Sequence, residues 1–145
     1  LFYRIPKKPE QLLRLLTHYS LLRQPISENI AFLRDLERKN QHNLFLISGR
    51  FGFLKKKTQS LITKHKLEQI FKQLHFNFDN MQPHEFKDRI IKELGIQRFV
   101  DDDLSLLRHV AAKNPQTHFF WLNKKELGKI TENITAITHI ADMLG

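Results

Sequence analysis

At 145 residues and 17.3 kDa the chain has the length of one domain, enough to bury about two-thirds of the surface that the unfolded chain would expose. Its 41% hydrophobic content and 12 Phe exclude a disordered or collagen-like chain, and the lack of cysteine excludes disulfide scaffolds, thiolate zinc sites and cysteine nucleophiles. A net charge of +9 favours an anionic partner, and no apolar run approaches the roughly 18–20 residues of a membrane span, so the expectation is a cytoplasmic protein with no membrane partner.

The chain opens on Leu1-Phe2-Tyr3 without a signal-peptide pattern, and Pro6 and Pro9 punctuate the opening loop. Leu12, Leu13, Leu15 and Leu16 predict a helix from Glu10 to Leu22, which Pro25 ends. Ser27 suits the N-cap of a helix running to Lys39, with Ile30, Leu33 and Leu36 on one side, and Asn40 to Asn43 reads as a turn. Leu44-Phe45-Leu46-Ile47 is a continuous apolar run that fits a strand buried on both faces of a parallel sheet. A basic loop then leads to a helix expected over Gln59–Leu74, where Leu67, Ile70, Phe71 and Leu74 fall at helical spacing. Phe76 to Phe78 is a short strand candidate. Pro83 suits the first turn of the next helix, Phe86, Ile90 and Leu94 repeat along it, and Gly95 stops it.

Gln97 to Val100 predicts a strand that ends in Asp101-Asp102-Asp103. Leu104, Leu107, Val110 and Ala111 mark a helix closed by Asn114-Pro115, and Asp103 is placed to cap it. Thr117 to Leu122 is the clearest strand, and its Trp121, Phe119 and Phe120 read as core. A last helix is expected through Ile130, Ile134, Ile137, Ala141 and Leu144. The alternation of helices and strands predicts one α/β domain over residues 1–145 with a mostly parallel sheet. The eight His show no metal-ligand spacing and read as structural or surface residues, and the sequon Asn133-Ile134-Thr135 reads as a chance pattern.

The charge is uneven. Residues 1–75 carry 15 basic and 5 acidic residues, a net of +10, and residues 76–145 carry 9 and 10, a net of −1. The stretch from Arg50 to Lys72 holds seven cations against Glu68 alone. Ligands of parallel sheets bind beyond the carboxyl ends of the strands. Ser48 follows one predicted strand, Asp101 and Asp102 follow another, and Lys87 sits in the first turn of the helix from Pro83. A hydroxyl, an ammonium and two carboxylates suit a phosphate bound with a divalent cation, because hard cations take carboxylate and phosphate oxygens.

These residues resemble the haloacid dehalogenase-like (HAD) superfamily. Leu44-Phe45-Leu46-Ile47-Ser48-Gly49-Arg50 looks like its motif II, Pro83-His84-Glu85-Phe86-Lys87-Asp88-Arg89-Ile90-Ile91 like its motif III, and Phe99-Val100-Asp101-Asp102 like its motif IV. The three stand in the family's order over residues 26–122. The resemblance implies a three-layer α/β/α Rossmann-like fold, with residues 1–25 a loop and helix forming a small cap region and 26–145 the core. It also implies a Mg²⁺-dependent phosphatase acting through an aspartyl-phosphate, with Mg²⁺ held by Asp101 and Asp102 and the phosphoryl group met by Ser48 and Lys87. The phosphorylated substrate, a nucleotide or nucleic acid end, would also meet Gly49, Arg50 and the lysines Lys55, Lys56 and Lys57. The spacing from Ser-Gly-Arg to the Phe-Lys helix is similar to that of RNA-repair-associated members.

The chain departs from the family in one respect: it contains no Asp-x-Asp-x-Thr motif, the source of the family's nucleophile. Leu1-Phe2 resembles the pair that follows that motif, so the expectation is that the nucleophilic Asp, its general-acid partner and the first strand lie upstream in a parent protein. The 145 residues alone are then expected not to turn over. The alternative is a non-enzymatic nucleic-acid-binding domain that uses the basic first half.

Overall fold

A computed structural model of the chain describes residues 1–4 and 26–145. The loop with Pro6 and Pro9, the helix expected over Glu10–Leu22 and the break at Pro25 lie outside the described residues. The chain divides into two compact units, Phe2–Met81 and Gln82–Gly145, the latter joined by Leu1. Both are α/β, and the pairing in their two sheets is mostly parallel. No helix among the described residues is long and apolar enough to cross a membrane.

In the first unit, α1 (Ile26–Arg38) is followed by β1 (Phe45–Ser48), a 3₁₀ turn (Gly52–Leu54), α2 (Lys55–His65), a second 3₁₀ turn (Leu67–Gln69) and β2 (Gln73–Phe76). α1 begins one residue before Ser27, which therefore lies inside its first turn. Leu36 is buried, with Ile30 and Leu33 half-buried beside it. Asn40 takes the left-handed conformation (φ 49°) that Asn tolerates, which makes the expected turn. β1 pairs in parallel with β2 from Phe45↔Gln73 to Ser48↔Phe76. Among the described residues it has that single neighbour, so its four residues are half-buried and not buried on both faces as the apolar run suggests.

The helix expected over Gln59–Leu74 is corrected. α2 starts at Lys55, taking in the supposed basic loop, and stops at His65. Lys66 turns left-handed (φ 49°, ψ 44°) and its N–H closes on the carbonyls of Ile62 and Thr63. Leu67 and Ile70 are buried in the tight turn that follows. The chain then extends three residues earlier than Phe76, because Lys72 N–H donates to the Leu44 carbonyl (2.8 Å) and Asn77 N–H to the Ser48 carbonyl (3.1 Å), which extends the ladder with β1.

In the second unit, α3 (Pro83–Leu94), β3 (Arg98–Asp101), α4 (Leu104–Ala111) and β4 (His118–Leu122) fall where the sequence predicts them, to within a residue or two. Pro83 opens α3, and Gly95 ends it with φ 60° while Ile96 N–H donates to the Ile91 carbonyl. Asp103 caps α4, its Oδ1 accepting from Leu106 N–H at 3.0 Å. With β5 at Gly128–Lys129 and β6 at Ile134–Ile137, the sheet runs β3-β4-β6-β5, and its core is built from Ile91, Leu106, Leu107, Val110, Phe119, Ile134, Ala136 and Ile137.

The expected last helix is also corrected. Residues from Gly128 on form β5 (Gly128–Lys129), β6 (Ile134–Ile137) and a closing 3₁₀ turn (Ile140–Leu144). β6 pairs in parallel with β4 from Phe119↔Ile134 to Leu122↔Ile137 and antiparallel with β5. Ile134, Thr135 and Ile137 are β-branched and favour a strand, and a place between two strands buries Ile134, Ala136 and Ile137. Asn133 spends its amide on the carbonyls of Ala111, Asn114 and Thr117, a structural role for the sequon residue.

Candidate active site

The side chains that carry the sequence argument fall in different units. Ser48 stands at the carboxyl end of β1 in the first unit, with Gly49 and Arg50 after it, all half-buried. The carbonyls of Ser48 and Gly49 accept from the backbone N–H and side-chain amide of buried Asn77. Lys55, Lys56 and Lys57 form the first turn of α2, with the Lys55 ammonium 5.4 Å from the centre of the Phe78 ring. Burial, then the nearby charge of Arg50, pushes the Lys57 ammonium below its ordinary range.

Lys87, Asp101 and Asp102 belong to the second unit. Lys87 is the fifth residue of α3 and is buried. Its Nζ donates to Asp101 Oδ2 at the end of β3, and each side chain is 10% exposed. The other oxygen of Asp101, Oδ1, accepts Asp103 N–H at 3.0 Å. The carboxylate is therefore fixed in orientation by one charged and one backbone donor. Taking both charges out of water carries a desolvation cost of several kcal/mol per ion, so mutual attraction and hydrogen bonding must offset it. The Phe99 ring lies 5.9 Å from the ammonium and closes one side of it.

Asp102, next in the chain, is exposed. Trp121, aligned with Asp101 across the β3–β4 pairing, donates its indole N–H to the Asp102 carbonyl at 3.2 Å. The Trp121 ring is half-buried, not the full core residue expected, and it anchors the backbone beside the carboxylates. Its place at the end of the next parallel strand is the sequence signal for this role. Asp103 caps α4 as expected and also orients Asp101 through its N–H.

The carboxylates suit a hard cation. Each oxygen of Asp101 accepts one hydrogen bond and keeps a further acceptor position. Among the described residues no three His, Asp or Glu side chains converge on a point, so a cation here would be held by one or two carboxylates and completed by water and phosphate, as Mg²⁺ is.

In the first turn of α3, His84 packs edge-on against His109 of α4, with ring centres 4.5 Å apart. Burial and then His109 hold the His84 imidazole below its ordinary range. Asp88, one residue after Lys87, accepts from Asn114 (2.7 Å) and Lys92 (2.8 Å); burial raises its carboxyl, and these two donors outweigh burial and lower it.

Comparison of the chain with models of known protein families and with curated proteins finds no match.

Proposed function

We propose that the carboxyl end of β3 is the metal and phosphate end of a Mg²⁺-dependent phosphohydrolase. The observation that carries this reading is the desolvated Lys87–Asp101 pair beside exposed Asp102. A stable core has little use for two buried charges, which well-packed apolar residues replace at no loss. A site for phosphate and a cation needs both signs of charge in fixed positions. Lys87 holds the Asp101 carboxylate in one orientation and meets phosphate charge; Asp101 and Asp102 would hold Mg²⁺, which supplies charge neutralisation for a transferring phosphoryl group.

The roles of Ser48, Gly49, Arg50 and Lys55–Lys57 toward a phosphorylated substrate rest on the likeness to the HAD superfamily, as does the three-layer α/β/α arrangement. The aspartyl-phosphate route implied by that likeness takes its nucleophile from none of the residues assigned here.

Trp121 is the single tryptophan of the chain and touches the Asp102 backbone, so its fluorescence reports on the site. Mg²⁺ titration should give a saturable change. Asp102→Asn should abolish it, while Asp103→Asn, which removes the same charge one residue on and keeps a capping side chain, should leave it. No saturable response, or equal loss in both variants, would reject the site.

A further inference from the structure

Among the described residues of the first unit, the charge excess is concentrated on one helix. α2 (Lys55–His65) contains Lys55, Lys56, Lys57 and Lys64, is followed by Lys66, and carries no acidic residue. The other long helices balance their charge: α1 ends beside a Lys39–Asp35 pair, and α3 carries Lys92–Asp88 and Arg89–Glu93 pairs at i, i+4. At 100° per residue, Lys55, Lys56, Gln59, Ser60, Thr63 and Lys64 share one arc of α2, and all six are exposed. That face is cationic at both ends, with uncharged hydrogen-bonding side chains between.

The placement works against the helix itself. Three lysines stand in the first turn, where the macrodipole favours anions; that turn holds no acidic residue, and Leu54 at its N-cap makes no side-chain cap bond. Helices usually put acids there, so the arrangement gains by meeting negative charge from outside. The length of the face indicates the kind of anion. Eleven residues span about 16 Å, too far for one phosphate to meet both ends but matched to several successive phosphates of a strand. Gln and Ser/Thr side chains between the cations suit phosphate and sugar oxygens, which take such contacts routinely.

We infer that the exposed face of α2 binds the sugar–phosphate backbone of a nucleic acid strand, independently of sequence. This surface is argued within the first unit alone; it shares Lys55 and Lys56 with the proposed substrate contacts but does not rest on the Lys87–Asp101 pair, so its failure leaves that site standing.

The test is anisotropy of a fluorescein-labelled 20-nucleotide single-stranded RNA titrated with the full chain across a range of salt. With four exposed lysines (Lys55, Lys56, Lys64, Lys66) in contact, log K against log salt should fall with a slope of about −3, at roughly 0.7 per phosphate on a single strand. Lys55→Gln/Lys56→Gln should weaken binding for every sequence and reduce the slope by about 1.4. Lys124→Gln/Lys125→Gln removes the same charge from exposed positions of the second unit and should leave the slope unchanged. A flat salt response, or equal loss in both double variants, would overturn the assignment. So would equally tight binding of a polyglutamate peptide of the same charge, which would indicate an acidic protein partner. Circular dichroism should show the Lys55/Lys56 variant folded and within about 1 kcal/mol of the parent, because relief of repulsion at the helix start offsets the lost Lys55–Phe78 contact; that excludes unfolding as the cause of lost binding.

Discussion

Replacing Lys87 by Met keeps most of the side-chain volume and removes its charge. The Asp101 carboxylate would then stay buried with one remaining donor, the Asp103 N–H at 3.0 Å. Both side chains are 10% exposed, so water reaches little of the orphaned charge. Breaking a pair buried to this degree costs about 3–5 kcal/mol, and Asp101→Asn should cost a similar amount by stranding the ammonium. Loss of the ammonium near the Phe99 ring, 5.9 Å away, adds up to about 2 kcal/mol at a desolvated site. Urea unfolding followed by Trp121 fluorescence reads the second unit directly, since that residue is the single tryptophan and lies in its sheet. With m of about 1–3 kcal/mol/M, each single variant should lose at least about 1 M in midpoint. The double variant Lys87→Met/Asp101→Asn leaves neither charge, so it should lie at least about 2 kcal/mol above the sum of the singles. Singles within about 0.5 kcal/mol of the parent, adding simply in the double, would refute the claim that the pair is desolvated and coupled.

The second unit should also weaken in acid. The His84 imidazole is held below 6.5 by burial against His109, so the unfolded chain takes up its proton first. The contribution is complete above pH 6.5 and declines as pH falls below it, by no more than about 1.4 kcal/mol per pH unit for one proton; urea midpoints at pH 7.5 and 5.5 should show the fall, and His84→Gln should flatten it. Asp103→Ala removes the cap bond to Leu106 and should cost about 0.5–2 kcal/mol by the same unfolding assay, whereas Asp103→Asn should cost a few tenths at most.

Four elements of the second unit were legible because local chemistry punctuates them. Pro83 and Gly95 bracket α3, Asp103 starts α4, and Asn114-Pro115 follows its end. The two misplaced helices share a different cause. Leu67, Ile70, Phe71 and Leu74, like Ile130, Ile134 and Ile137, fall at spacings that a helix satisfies, but each run is cut by an event that spacing does not record. Lys66 turns left-handed, and the residues after it find carbonyl partners on β1. Ile134 to Ile137 find theirs on β4.

Sequence alone determined the composition class, the α/β alternation and the short segments in which Ser48, Lys87, Asp101 and Asp102 occur. It also located the cation-rich stretch, though not the helix that displays Lys55, Lys56 and Lys64 on one exposed face. The pairing of Lys87 with Asp101, the indole bond from Trp121 to Asp102 and the strand identity of Ile134–Ile137 were decided by tertiary structure. Each depends on partners 14 or more residues apart. Periodicity and capping are properties of neighbours along the chain, whereas a strand ladder or a buried ion pair exists only once distant segments have met and excluded water.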